Sequence, residues 1–125
     1  MYSNRVTLTG FLGQNAEVKS TRNHNSFTVL SLATKRSWKD RESGEWHSET
    51  TWHRCIVWGK LGDFASTLTT GAHVQVEGEL RHREYVQNGQ SGDAKKSITE
   101  VRVISIVRMD RPKKSGADAE GAGAA

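Results

Sequence analysis

The sequence contains a single cysteine, Cys55, so it cannot form an internal disulfide, which fits a reducing cytoplasm. It has no apolar run that approaches the length of a membrane span, and its first residues show neither a secretory nor a transit-peptide pattern. Its five histidines do not have the spacing of a zinc site. We therefore expect a cytoplasmic protein with no membrane segment, no bound metal and no cofactor.

The length of 125 residues is enough for one modest domain and too little for a typical two-domain enzyme. Its 18 lysines and arginines outnumber its 14 aspartates and glutamates, for a formal net charge of +4. A basic balance of this size permits a polyanion partner without proving one. Residues 110–125 cannot bury apolar surface, so we predict a domain over 1–109 and a disordered tail over 110–125.

Five segments have the alternation and the residue types of strands: 4–13, 27–38, 46–59, 73–85 and 98–109. The segment 14–26 between the first two is polar and reads as a loop with room for one short extended piece. A helix is predicted over 60–71, ending at Gly71, because its apolar residues have helical spacing: Leu61, Phe64, Ala65 and Leu68.

This order of elements predicts an all-β chain, a five-stranded OB-fold Greek-key barrel with one short helix between strands 3 and 4. We expect the strands and the helix together to supply the core of this barrel. The predicted core residues are Leu30, Leu32, Val57, Leu61, Phe64, Leu68, Val74, Val76, Leu80, Val101 and Val103.

The third predicted strand contains the stretch TWHRCIVWGK, residues 51–60, with two of the four tryptophans of the chain. Side chains alternate along a strand, which places Trp52, Arg54 and Trp58 on one face together with Ile56. Indole rings can stack with unpaired bases while a cation neutralises phosphate, so this face suits a single-stranded nucleic acid. The alternative is that Trp52 and Trp58 belong to the core, against which Arg54 argues because an unpaired buried charge is costly.

Several segments resemble the bacterial single-stranded DNA-binding protein family: GFLGQNAEVK, LATKRSW, TTWHRCIVWGKLGDFASTLTTGAHVQVEGELRHREY and ITEVRV. The resemblance covers about residues 4–107, in order and without large gaps. It implies an OB-fold protein without catalytic activity that coats single-stranded DNA with little sequence preference, usually as a homotetramer. It also implies roles in replication, recombination and repair. The expected location is the cytoplasm, at the nucleoid, and the expected source is a bacterium or a mobile element.

The resemblance also assigns roles to particular residues of this chain. Base stacking falls on Trp38, Trp52, Trp58 and Tyr85, and contacts to DNA phosphates fall on Arg5, Lys19, Arg54, Lys60, Arg81 and Arg83. Contacts between subunits fall on His53, Gln75 and Glu77. Trp46 has no common counterpart in the family, and it either extends the stacking path along the hairpin or packs on a neighbouring loop.

The sequence departs from the family in two respects. Glu84 and Thr70 stand where a basic residue is common, which would weaken DNA binding. Many members end in an acidic tip that recruits replication and repair proteins, and this sequence ends in GADAEGAGAA instead. Either the chain is cut short or it is a short paralogue. Replication and repair proteins stay open as partners, although this sequence lacks the usual docking tip.

Two other functions compete with this interpretation. A primosomal replication protein is a related OB-fold dimer that acts as an adaptor between proteins and DNA, but it does not depend on this tryptophan pattern. An OB-fold nuclease or enzyme accessory would need a metal-binding cluster of carboxylates, which the sequence does not supply.

Overall fold

The structure is a computed structural model that describes residues 1–86 and 95–110. In that part of the chain the elements are β1 (Val6–Leu12), β2 (Glu17–Ser20), β3 (Ser26–Lys39), β4 (Trp46–Trp58), α1 (Gly59–Ala65), β5 (His73–Val86) and β6 (Lys95–Arg108). The five predicted strands are β1, β3, β4, β5 and β6. The sixth, β2, is the short extended piece of the polar segment, and it pairs with β3 from Glu17↔Val29 to Ser20↔Ser26.

Five of these strands close into a barrel. β1 pairs with β5 over Val6–Phe11 and, at its other end, with β3 through Phe11↔Ala33. β3 continues to β4, β4 to β6 in parallel through Cys55↔Val101, and β6 back to β5. The ring and the helix between its third and fourth strands confirm the predicted OB-fold.

The barrel interior contains most of the predicted core. Leu30, Leu32, Val57, Val74 and Val76 are fully buried, and Leu68, Val101 and Val103 are nearly so. Leu61 is partly buried and packs against this cluster. The helix is anchored to β3 by the buried Thr28, whose Oγ1 donates a hydrogen bond of 2.9 Å to the carbonyl of Gly62.

Two core predictions are wrong, since Phe64 and Leu80 are exposed. The helix ends at Ala65 rather than at Gly71, so Leu68 enters the core from the turn that follows and Phe64 remains on the outer side. Gly71 instead adopts φ +90° in the approach to β5. Leu80 lies beyond Gly78, where the pairing of β5 with β1 ends.

Two hairpins extend beyond the barrel. β3 and β4 pair without a break from Phe27↔Trp58 to Lys39↔Trp46, and residues from Lys35 to Lys39 and from Trp46 to Trp52 are exposed. β5 and β6 pair from Val74↔Arg108 to Val86↔Lys95.

No helix among residues 1–86 and 95–110 is long and apolar enough to cross a membrane. The predicted tail lies outside the described residues except for Asp110, whose carboxylate accepts a hydrogen bond from Nε of Arg108 at 3.0 Å.

Candidate nucleic-acid interface

β4 separates its side chains into two faces, as its alternation predicts. Cys55 and Val57 are fully buried in the barrel, whereas the exposed fractions of Trp52 and Trp58 are 59% and 40%. Trp52 and Trp58 therefore do not belong to the core. Ile56, between Arg54 and Trp58 on the outer face, is nearly buried and forms a floor under that face.

The unbroken register of the hairpin also places Trp46 on the face of Trp52 and Trp58. These three residues follow one another at intervals of six, so successive rings are about 20 Å apart along the strand. Trp46 is 70% exposed, so its ring is open to solvent, and its role in stacking stays a prediction.

Trp38 lies on the opposite face of the hairpin. It pairs across the strands with His47, and their ring centroids are 5.7 Å apart in a stacked arrangement. The Arg36 guanidinium lies over the indole, with Cζ 4.6 Å from the ring centroid, as in a cation–π contact. The structure therefore does not bring Trp38 together with the other three tryptophans, although it remains partly exposed.

Neighbouring residues support the rings of Trp52 and Trp58. Phe27 lies opposite Trp58 on β3, with ring centroids 4.7 Å apart and planes inclined at 38°. The Trp52 ring lies over Gly13, where a Cβ atom would overlap it. Sequence reasoning missed both contacts. The first depends on the register between β3 and β4, and the second brings Gly13 against a residue of a distant strand, so both are long-range features.

A groove with a volume of ≈ 570 Å³ begins at Trp58 and continues onto the β5–β6 hairpin. Arginines dominate its charged lining, with Glu100 as the one acidic residue among the lining side chains that the structure describes. These arginines are Arg54, Arg81, Arg83 and Arg102. Arg102 was not predicted, although it alternates with the buried Val101 and Val103 and so had to face outward.

Glu100 joins two of the predicted phosphate-binding residues. Nε of Arg54 donates a hydrogen bond of 2.9 Å to Oε2 of Glu100, and Nε of Arg83 donates one of 3.0 Å to Oε1. Partial burial by itself would raise the pKa of Glu100, but the hydrogen bonds from Arg83 and Arg54 and their charges hold this pKa below its usual range. Glu100 is therefore an ionised carboxylate between two guanidinium groups.

The other predicted phosphate-binding residues do not form one cluster. Lys19 lies across from Phe27, on the side of Trp58, and Lys60 follows Trp58 by two residues. Arg5 does not line the groove, and its Nε donates a hydrogen bond of 2.8 Å to Oε2 of Glu77. Tyr85 is exposed on the β5–β6 hairpin, with Cζ of Arg83 6.0 Å from its ring centroid.

The residues predicted for subunit contacts occupy two places. Burial lowers the pKa of the half-buried His53, whose Nε2 is 2.8 Å from Oγ1 of Thr34. Gln75 and Glu77 are half-buried on β5 and line a second hollow of ≈ 300 Å³ with Thr7, Ser105 and Val107. Their role between subunits stays a prediction. Within residues 1–86 and 95–110, no group of three or more potential metal-ligating side chains occurs.

The ion pairs of Glu100 predict a pH dependence of stability. A carboxyl whose pKa is lower in the folded state stabilises the fold above its unfolded-state pKa, about 4.3 for glutamate, and this contribution disappears as the pH falls through the folded-state pKa. We expect the free energy of unfolding of the wild type to fall more steeply below about pH 5 than that of Glu100→Gln. Urea denaturation across this range measures the difference, and parallel curves would contradict it.

A closed OB-fold barrel with exposed aromatic rings beside an arginine-lined groove is typical of single-strand-binding modules. The chain belongs to the Single-strand binding protein family, whose family model matches residues 3–109.

Two solved structures are similar to it. One, described as Plasmodium falciparum SSB in complex with ssDNA, is 28% identical with a TM-score of 0.77, covering 88% of this chain and 97% of that chain. The other is a deletion mutant of the single-stranded DNA binding protein from Thermus aquaticus, 27% identical with a TM-score of 0.71, covering 86% of this chain and 51% of that chain. The family and these neighbours support binding of single-stranded DNA.

Proposed function

We propose that this protein coats and protects single-stranded DNA, without sequence preference, in replication, recombination and repair. The observation that carries the proposal is the row of exposed tryptophans on β4 that leads into the arginine-lined groove. Membership of the family and similarity to a protein solved with single-stranded DNA support it. The stacking residues are Trp46, Trp52, Trp58, Trp38 and Tyr85, and the phosphate contacts are Arg5, Lys19, Arg54, Lys60, Arg81 and Arg83.

Stacking explains why such binding tolerates any sequence. Every base has a π-face, and stacking on an aromatic side chain contributes about 1–3 kcal/mol per base. Rings about 20 Å apart on one strand hold separated bases, so the backbone between them must follow the surface of the protein. Arginines in the groove beside Trp58 neutralise the phosphates at that point, which makes the affinity dependent on salt.

The test is a titration with poly-dT at two salt concentrations, in which tryptophan fluorescence monitors the binding. We expect strong quenching, because bases stack on exposed indoles, and weaker binding at the higher salt concentration. A titration with a mixed-sequence strand of equal length is the control for sequence preference. Absence of quenching together with absence of binding would overturn the proposal.

The groove supports a specific prediction for Arg54. Arg54→Ala should reduce the slope of log affinity against log salt concentration by about one unit, because one phosphate contact is lost. The same titration over a series of salt concentrations measures the slope. Arg41→Ala, which removes the same charge from the exposed turn between β3 and β4, is the matched control. An unchanged slope for Arg54→Ala would show that Arg54 binds no phosphate.

We further propose a cytoplasmic homotetramer, with His53, Gln75 and Glu77 at contacts between subunits. The alternative function, an adaptor of the primosomal replication protein type, requires a dimer with weak affinity for oligo-dT. Native mass spectrometry distinguishes the two assemblies. The three tryptophans on one face of β4 favour the coating function, because an adaptor does not need a row of stacking rings.

A further inference from the structure

Glu100 has an unusual place in the groove, since it is acidic in a surface suited to an anion. Its side chain is only 11% exposed, whereas the two arginines that it contacts are more open to solvent. Each carboxylate oxygen accepts one hydrogen bond, Oε2 from Arg54 and Oε1 from Arg83. In both arginines the donor is Nε, the inner nitrogen of the guanidinium group.

This arrangement leaves the outer part of each guanidinium group available. An arginine has five N–H donors, of which Nε supplies one and the two terminal nitrogens supply four. In Arg54 and Arg83 the contact to Glu100 uses the Nε donor, and both side chains line the groove. The terminal nitrogens therefore keep the donors that bind phosphate oxygens.

We propose that Glu100 is a positioning residue for single-stranded DNA, which holds Arg54 and Arg83 by their Nε–H groups so that their terminal nitrogens bind phosphates. This inference rests on the proposed function. Glu100 itself does not touch the DNA. It fixes two long side chains, from β4 and β5, in one orientation before the strand arrives.

The opposite role for Glu100 would be that of an internal competitor, which occupies the phosphate site and leaves when DNA binds. A competitor would take the terminal nitrogens that a phosphate needs and would lie open to solvent. Glu100 instead takes the inner nitrogens and lies at the bottom of the groove. The geometry therefore favours positioning over competition.

Positioning strengthens binding because a free arginine side chain loses rotamer freedom when it is immobilised at an interface. Here Glu100 has already restricted Arg54 and Arg83 in the free protein, so the DNA does not have to. The negative charge of Glu100 acts in the other direction, since it partly offsets the attraction of the groove for phosphate. Variants that separate geometry from charge decide which effect is larger.

Glu100→Asp keeps the charge but shortens the side chain by one methylene, so one carboxylate cannot reach both Nε atoms. We expect affinity for oligo-dT to fall roughly fivefold to tenfold, because the ordering of the arginines is no longer supplied in advance. We expect Glu100→Gln to weaken binding as well, although it makes the groove more positive, because its amide has one acceptor oxygen for two donors. Because both arginines can still bind phosphates once they are ordered, the slope of log affinity against log salt should stay near that of the wild type in both variants.

Glu84→Gln is the matched control for charge. Glu84 is exposed on the same hairpin as Arg83 and forms no ion pair with the side chains that the structure describes, those of residues 1–85 and 96–110. Removal of its charge should strengthen binding slightly, because one repulsion of phosphate is lost. If Glu84→Gln strengthens DNA binding and Glu100→Gln weakens it, the effect of Glu100 on affinity is geometric and does not come from its charge. Tighter binding by Glu100→Gln, or an unchanged affinity of Glu100→Asp, would overturn the proposal.

Proton–nitrogen correlation spectra of the arginine side chains provide a second measurement. In the free wild type, the Nε–H signals of Arg54 and Arg83 should exchange slowly with water, and Glu100→Asp should remove this protection. On addition of oligo-dT these Nε–H signals should stay in place while the terminal-nitrogen signals shift. Displacement of the Nε–H signals by DNA would instead identify Glu100 as a competitor.

A wild type that does not bind oligo-dT would refute the proposed function, whereas normal wild-type binding with unaffected variants would refute this inference alone.

Discussion

Trp52→Ala and Trp58→Ala are each expected to weaken binding of oligo-dT by about 1–3 kcal/mol, which corresponds to a loss of roughly 5-fold to 150-fold in affinity. The physical reason is that each exposed ring offers a stacking surface to one base and neither ring is needed to fill the barrel. Fluorescence anisotropy of a labelled oligo-dT measures the loss, with circular dichroism as the control that the barrel has formed.

Trp38→Ala is the matched comparison, because it removes the same side chain from the opposite face of the same hairpin. A strand of about 4 nucleotides, at the lower end of the range for one OB-fold, should stay on one face. Trp52→Ala or Trp58→Ala should lower the affinity for this short strand, whereas Trp38→Ala should leave that affinity unchanged. A longer strand can pass round the hairpin and should respond to all three variants. Equal losses for the short strand in all three would contradict the separation of the faces.

Gly10→Ala is expected to lower the free energy of unfolding by about 3 kcal/mol or more, at the upper end of the range for overpacking. Gly10 is buried in β1, and a Cβ atom there would overlap the backbone carbonyl oxygen of Ala33. A carbonyl of a paired strand cannot rotate away, so β1 and β3 must separate where they close the barrel. Thermal and urea denaturation measure the effect.

Gly13→Ala provides the control, because its added Cβ atom would meet a side chain rather than a backbone atom. The atom that it would overlap belongs to the Trp52 ring, which is exposed and can move. We therefore expect a change in stability of less than about 1 kcal/mol, together with altered Trp52 emission and weaker DNA binding. A loss of less than about 1 kcal/mol for Gly10→Ala would contradict the predicted overlap with the carbonyl of Ala33.

Local patterns of the sequence were sufficient to predict much of the fold. The alternation of Trp52, Arg54 and Trp58 with Cys55 and Val57 placed the tryptophans outside the barrel, and burial agrees with that division. The same reasoning failed for Phe64, because the helical spacing of apolar residues in the sequence continues beyond Ala65, where the helix ends. It failed for Leu80, because alternation specifies a face of the strand but not where the neighbouring strand ends.

The sequence by itself determined the order of the elements, the two faces of each strand and the residue types available for stacking and for phosphate contacts. These properties depend on neighbours a few positions apart, which the period of a strand or helix relates directly. Only the tertiary structure decided which of these residues meet. Glu100 reaches Arg54 across 46 positions of sequence and Arg83 across 17, while Trp38 is turned away from Trp52 by the register of one hairpin. Such contacts follow from strand pairing and barrel closure, because these alone bring distant segments within hydrogen-bonding distance.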